Sequence, residues 1–155
     1  MSELVRLERL CKSYPNREKP AVDNVSLSID RGSVYGLIGR NGSGKSSLAR
    51  ILTGVLRPTS GHIWINKVRD ASVTTHWQRS NVAYLSQSPL ALNTMTVEES
   101  MDFFGQLYGT KSSNKQQKRL LEKLGILRFH NREVRSLSGG QSKLVQLAIA
   151  ISSNR

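Results

Sequence analysis

The chain has 155 residues, enough to bury a core as one domain carrying at most a small inserted lobe. Its single cysteine, Cys11, excludes an internal disulfide and fits a reducing compartment; the N-terminus is too charged for a signal peptide, and no apolar run approaches membrane-spanning length. Net charge is +12, from 23 Lys and Arg against 11 Asp and Glu, yet the one basic enrichment, Lys111 to Arg135, lacks the interleaved aromatics of a single-strand nucleic-acid face and reads as a solvated helix surface.

In chain order, residues 3–10 place Leu4, Val5, Leu7 and Leu10 near alternation and predict a first strand. A polar loop with Pro15 and Pro20 follows; its aromatic, Tyr14, reads on its own as a half-buried turn tyrosine, with base stacking as the alternative. Residues 24–29 alternate Val25, Leu27 and Ile29 against serines and predict a half-exposed strand. Val34, Tyr35, Leu37 and Ile38 form an apolar run that predicts a buried parallel strand. Then come GRNGSGKS, Gly39 to Ser46, and a helix with Leu48, Ile51, Leu52, Val55 and Leu56 on one face. Residues 62–66 predict another alternating strand, in which His62 has no metal-ligand companions, and residues 67–80 are ambiguous. Residues 81–87 predict a strand ending at Gln87, which alone reads as a loop-capping residue before a metal-shell one.

Thr96-Val97-Glu98-Glu99 is a capping box opening a helix to about Tyr108, with Gly109 as its stop. A second box, Ser113 to Gln116, opens a helix that buries Leu120, Leu121 and Leu124 and points lysines outward. LSGGQ, 137–141, then precedes a helix that is apolar nearly all round.

GRNGSGKS fits the phosphate-cradling pattern G-x-x-x-x-G-K-[ST] at every fixed position. The first turn of the helix it opens has unpaired backbone N–H groups and a positive dipole end, both suited to a polyphosphate. Gly42 and Gly44 let the backbone approach phosphate oxygens, Lys45 would place an ammonium on the outer phosphates, and Ser46 would ligate Mg²⁺. Ser138, Gly139 and Gly140 form a second such helix start, whose plainer reading is an N-cap serine with flexible glycines.

With both motifs present, the sequence resembles the nucleotide-binding domain of ATP-binding cassette (ABC) proteins. GRNGSGKS matches the family's Walker A loop, LSGGQ its signature motif, Gln87 in YLSQ its Q-loop and Tyr14 in CKSYP its adenine-stacking A-loop. The resemblance implies an α/β fold of the P-loop NTPase, ABC-type class: an N-terminal antiparallel β lobe, a parallel core sheet and an inserted helical lobe at about 96–140, all within one partial domain, 1–155. It implies ATP and Mg²⁺ held in cis by Tyr14, Gly39, Arg40, Asn41, Gly42, Ser43, Gly44, Lys45, Ser46, Ser47 and Gln87, with Ser46 and Gln87 toward the metal. Ser138, Gly139, Gly140 and Gln141 would contact the nucleotide of a second ABC domain, in a homo- or heterodimer arranged head to tail. The implied partner is a transmembrane permease, which would place the chain in the cytoplasm on the inner face of a membrane. MTVEESMDFFGQLYG is similar to the helical lobe of the exporter branch. The alternative is a non-transport ABC protein acting on nucleic acid, which the charge favours slightly.

Two departures from the family's pattern stand out. Ser142, Leu144 and Ile149 occupy positions where arginine or another polar residue is common. No apolar strand ending in Asp-Glu (Walker B) and no switch histidine occurs in the 155 residues; His62, His76 and His130 lie elsewhere. The expectation is therefore a domain truncated before Walker B, with no catalytic residue of its own. It would bind ATP without hydrolysing it alone, and apolar faces and ladder groups beside the phosphate-loop strand would be left unsatisfied.

Overall fold

The computed structural model describes residues 3–69, 77–78, 81–86, 94–110 and 113–153. They belong to two compact units, 1–82 and 83–155.

The first unit is built on a four-stranded antiparallel sheet. Strands β1 (Glu3–Lys12), β2 (Val22–Asp30), β3 (Ser60–Ile65) and β4 (Val68–Arg69) lie in the order β2-β1-β3-β4. Leu7 stands opposite both Leu27 and Ile63, and Val5 opposite Ile29 and Ile65, so one face is apolar. Helix α1 (Lys45–Leu52) covers it with Leu48 and Ile51, closing a core that includes Leu10, Val22, Ile63 and Ile65. Leu7 and Leu10 are an odd number apart and would face opposite ways in a regular strand, yet both are fully buried. An irregularity between them reconciles this: Arg9 takes a left-handed φ of 47°, and the pairing with β2 shifts register there. Gly61 on β3 lies against the displaced backbone, where a Cβ would come within 2.3 Å of the Arg9 carbonyl.

Two expected strands do not form. Val34–Ile38 enters no strand ladder, and its side chains are in water, with Val34 99% and Ile38 98% exposed. Residues 82–86 likewise have no regular structure, and Tyr84 and Leu85 are exposed. A buried parallel strand exists only through the neighbours that complete its ladder and cover its faces, and among the described residues neither segment has them. All pairing among the described strands is antiparallel. Helix α1 also ends earlier than its apolar repeat suggested, at Leu52, because Gly54 turns left-handed at φ 73°; Val55 is consequently exposed.

The second unit is helical: α2 (Val97–Leu107), α3 (Asn114–Lys123) and α4 (Gly139–Ser152), with short 3₁₀ turns at Leu127–Phe129 and Val134–Ser136. Val97 and Met101 of α2, Leu121 of α3, and Val145, Ala148 and Ile149 of α4 meet Ile126, Phe129 and Val134 in one core. Ile149, where the resemblance implies a polar residue, is here a core residue. All three helices start with a reciprocal capping box: Thr96 with Glu99, Ser113 with Gln116, and Ser138 with Gln141.

The box at Thr96 is the one of these three that contains a titratable group. The Thr96 N–H donates to Glu99 Oε2 at 2.8 Å; this backbone bond first, and the Thr96 hydroxyl second, hold the Glu99 carboxyl below its ordinary range. A lowered carboxyl pKa stabilises the fold above the ordinary glutamate range, about 4.3, and that contribution is lost as pH falls through the lowered value. Glu99→Gln keeps the box in the form used by the other two helices. We expect its urea midpoint to fall less than wild type's on acidification below that range; parallel pH profiles would refute the assignment.

Candidate nucleotide site

The phosphate loop follows residue 38 and ends where α1 begins. Gly39 to Ser43 are exposed, and the Ser43 N–H donates to the Arg40 carbonyl at 3.2 Å, tightening the turn. Gly44 is the residue before α1 and takes φ 90°, a left-handed value favouring glycine. A Cβ there would sit 1.9 Å from the Ala21 carbonyl oxygen, so its bareness lets the loop rest on the start of β2. At Gly42, φ is 82° and a Cβ would meet nothing within 4 Å; that side of the loop is open.

No side chain caps the start of α1, and its first turn carries no acidic residue. The capping boxes of α2, α3 and α4 therefore have no counterpart at α1, whose leading N–H groups and dipole end are left for an anion from outside. Lys45 Nζ donates to the carbonyls of Gly39 at 2.6 Å and Arg40 at 2.7 Å. An ammonium has three donors, so this anchoring holds the cation over the loop with a third N–H available to a phosphate oxygen. Ser46 is exposed beside it. Uncapped amides, a tethered ammonium and an open glycine turn fit a nucleotide triphosphate. Ser46 can offer one hydroxyl to Mg²⁺, while Gln87, its expected companion, lies outside the described residues.

Tyr14, which sequence alone left as a turn residue, lies against this helix. Its hydroxyl is 3.1 Å from the Ser47 hydroxyl, and Lys12 Nζ sits over its ring, 5.4 Å from the centroid. The Ser47 contact was not legible in the sequence, since it depends on how the β1 loop meets α1; the Lys12 contact is local to that loop. Gln78 was also missed: it is buried, and its Nε2 donates to the Ile51 carbonyl at 3.2 Å and the Leu52 carbonyl at 2.8 Å, closing the end of α1. It comes from a polar stretch without periodicity, and nothing local marks it.

In the second unit, the Ser138 hydroxyl accepts from the Gln141 N–H at 3.3 Å, and Gln141 Oε1 accepts from the Ser138 N–H at 3.0 Å. As an acceptor in that bond the serine keeps its own hydroxyl proton to donate. Ser138, Gly139 and Gly140 are exposed, and a Cβ on either glycine would meet nothing within 4 Å. Among the described residues no three His, Cys, Asp or Glu side chains gather as a metal site.

Comparison with known proteins gives this geometry a context. The family model described as "ABC transporter" matches residues 22–155. The methionine import ATP-binding protein MetN of Carboxydothermus hydrogenoformans is 34% identical over 157 residues, covering 97% of this chain and 47% of that protein. The glucosylceramide transporter ABCA12 of Mus musculus is 32% identical over 153 residues, covering 96% of this chain and 6% of that protein. Among solved structures, an ATP-binding cassette of an ABC transporter, MJ1267, superposes with a TM-score of 0.79 at 29% identity, covering 99% of this chain and 66% of that one. The cbiO1 protein of Clostridium perfringens, part of the ABC transporter complex cbiONQ, gives 0.79 at 26% identity, covering 99% and 62%. The chain thus spans less than half of these curated relatives and under two thirds of that second solved cassette. With its phosphate loop at an uncapped helix start and its second glycine turn at α4, the chain belongs to the ABC transporter family and carries the P-loop NTPase fold of that family's nucleotide-binding domain.

Proposed function

We propose that the chain is the ATP-binding part of an ABC transporter, linking nucleotide occupancy to a transmembrane permease from the cytoplasmic face of a membrane. The observation that carries this is the start of α1: amides with no capping side chain, beneath a lysine tied to its own loop. The amides of Gly42 and of Gly44 to Ser46 bind the polyphosphate, Lys45 compensates the outer phosphates, and Tyr14 receives the adenine. Mg²⁺, when bound through the Ser46 hydroxyl, would supply charge neutralisation between phosphates. Ser138, Gly139 and Gly140 offer a hydroxyl proton and bare helix-start amides to the nucleotide of a second ABC domain, so ATP cements a head-to-tail pair. Support for this pairing comes from a solved relative of 27% identity, MJ0796, which is described as a bacterial ABC transporter cassette of dimeric structure.

The activity we propose for these residues is nucleotide binding at the start of α1. The nucleic-acid alternative is not favoured, since the relatives above are transport proteins.

Titration with a fluorescent ATP analogue tests this reading. Lys45→Ala is expected to weaken binding about 10- to 100-fold, the value of a charge-assisted hydrogen bond pair in a partly enclosed site. Equal affinity in wild type and Lys45→Ala would overturn it.

A further inference from the structure

The contacts around Tyr14 fix its ring from two directions. The Lys12 ammonium lies over one face, 5.4 Å from the centroid, and the Ser47 hydroxyl meets the phenol oxygen at 3.1 Å. A turn bond from the Arg17 N–H to the Tyr14 carbonyl at 3.1 Å holds the backbone beneath. Lys12 is the last residue of β1, whose chain is anchored here by the Ala21 N–H on the Lys12 carbonyl at 2.7 Å. Ser47 is in the first turn of α1, two residues after Lys45.

We propose that Lys12 and Ser47 are positioning residues for nucleotide selectivity: together they lock the Tyr14 ring so that one face alone is open to a purine, at a distance from the phosphate amides fixed by α1. This rests on the nucleotide reading above and adds to it. A ring that rotates freely must be ordered when the base arrives, at a cost in conformational entropy, and a cation already over one face steers the base to the other. The Tyr14–Ser47 bond joins the base platform to the helix that takes the phosphates. The two ends of the ligand are then measured against one rigid element, and a bare polyphosphate gains nothing from this arrangement.

The experiment compares ATP with inorganic tripolyphosphate on the full chain, by competition against the fluorescent analogue. Lys12→Met and Tyr14→Phe are each expected to weaken ATP about 3-fold or more while leaving tripolyphosphate unchanged, with Lys12→Arg retaining wild-type selectivity. Tyr14→Phe keeps the ring and removes only the hydroxyl that meets Ser47, and its urea midpoint, read alongside, separates a binding effect from a folding one. If Lys12→Met weakens both ligands equally, lysine acts only as a charge and the proposal fails. An unchanged ATP-to-tripolyphosphate ratio in both Lys12→Met and Tyr14→Phe also overturns it. These outcomes are separate from failure of the nucleotide reading, which would show as Lys45→Ala leaving both ligands unaffected.

Discussion

Gly44→Ala is expected to destabilise the first unit by about 3 kcal/mol or more, whether or not nucleotide is present. Two costs combine. Alanine at φ 90° is strained, by about 1–3 kcal/mol, and its Cβ would sit 1.9 Å from the Ala21 carbonyl, forcing backbone apart for a similar amount. The neighbouring glycine separates folding from binding. Gly42→Ala meets open space and carries only the left-handed penalty, about 1–2 kcal/mol, but its methyl stands on the side of the loop open to phosphate. Denaturant unfolding should therefore rank Gly44→Ala well below Gly42→Ala, while ATP titration shows Gly42→Ala impaired although folded. Equal unfolding midpoints would mean that Gly44 does not bear on β2 as described.

Met101→Ala should be the most damaging single truncation on α2. The side chain is 1% exposed and lies in the core shared by all three helices, so losing it costs about 2–5 kcal/mol through lost transfer energy and a cavity. Ser100, its neighbour, is as deeply buried, yet among the described residues its hydroxyl has no hydrogen-bond partner. Ser100→Ala removes a polar group that burial penalises and should be neutral or stabilising by up to about 1 kcal/mol. Opposite signs at adjacent positions, read from urea midpoints, would be hard to obtain unless α2 faces the core as described. A loss at Ser100→Ala comparable to that at Met101→Ala would count against it.

What could be foreseen from sequence divides along a physical line. The capping boxes at Thr96, Ser113 and Ser138 and the phosphate loop are local: partners lie within a few residues, so spacing determines them. Strands β1, β2 and β3 were foreseen because alternation reports a half-buried face; the Arg9 irregularity was not, although the odd interval between Leu7 and Leu10 required one. Val34–Ile38 failed as a strand because composition records a wish to be buried, whereas pairing depends on a neighbour. At Gly44 the sequence suggested room for a phosphate, whereas what the structure shows is a close approach to the Ala21 carbonyl, which no local pattern announces. The contact of Tyr14 with Ser47 and the closure of α1 by Gln78 join segments distant in sequence and leave no local trace, whereas the Lys12 contact is local and turns on how the loop after β1 folds.

The uncovered run at Val34–Ile38 also bears on how the chain behaves at high concentration. Aliphatic side chains in water on a backbone outside any ladder make an adhesive strip, the kind of surface through which molecules clump edge to edge. Mutual repulsion between molecules each bearing a net charge of +12 works against that clumping, and added salt weakens the repulsion while leaving the strip as sticky as before. Light scattering is therefore expected to rise as salt is added, because screening removes the repulsion that keeps such strips apart.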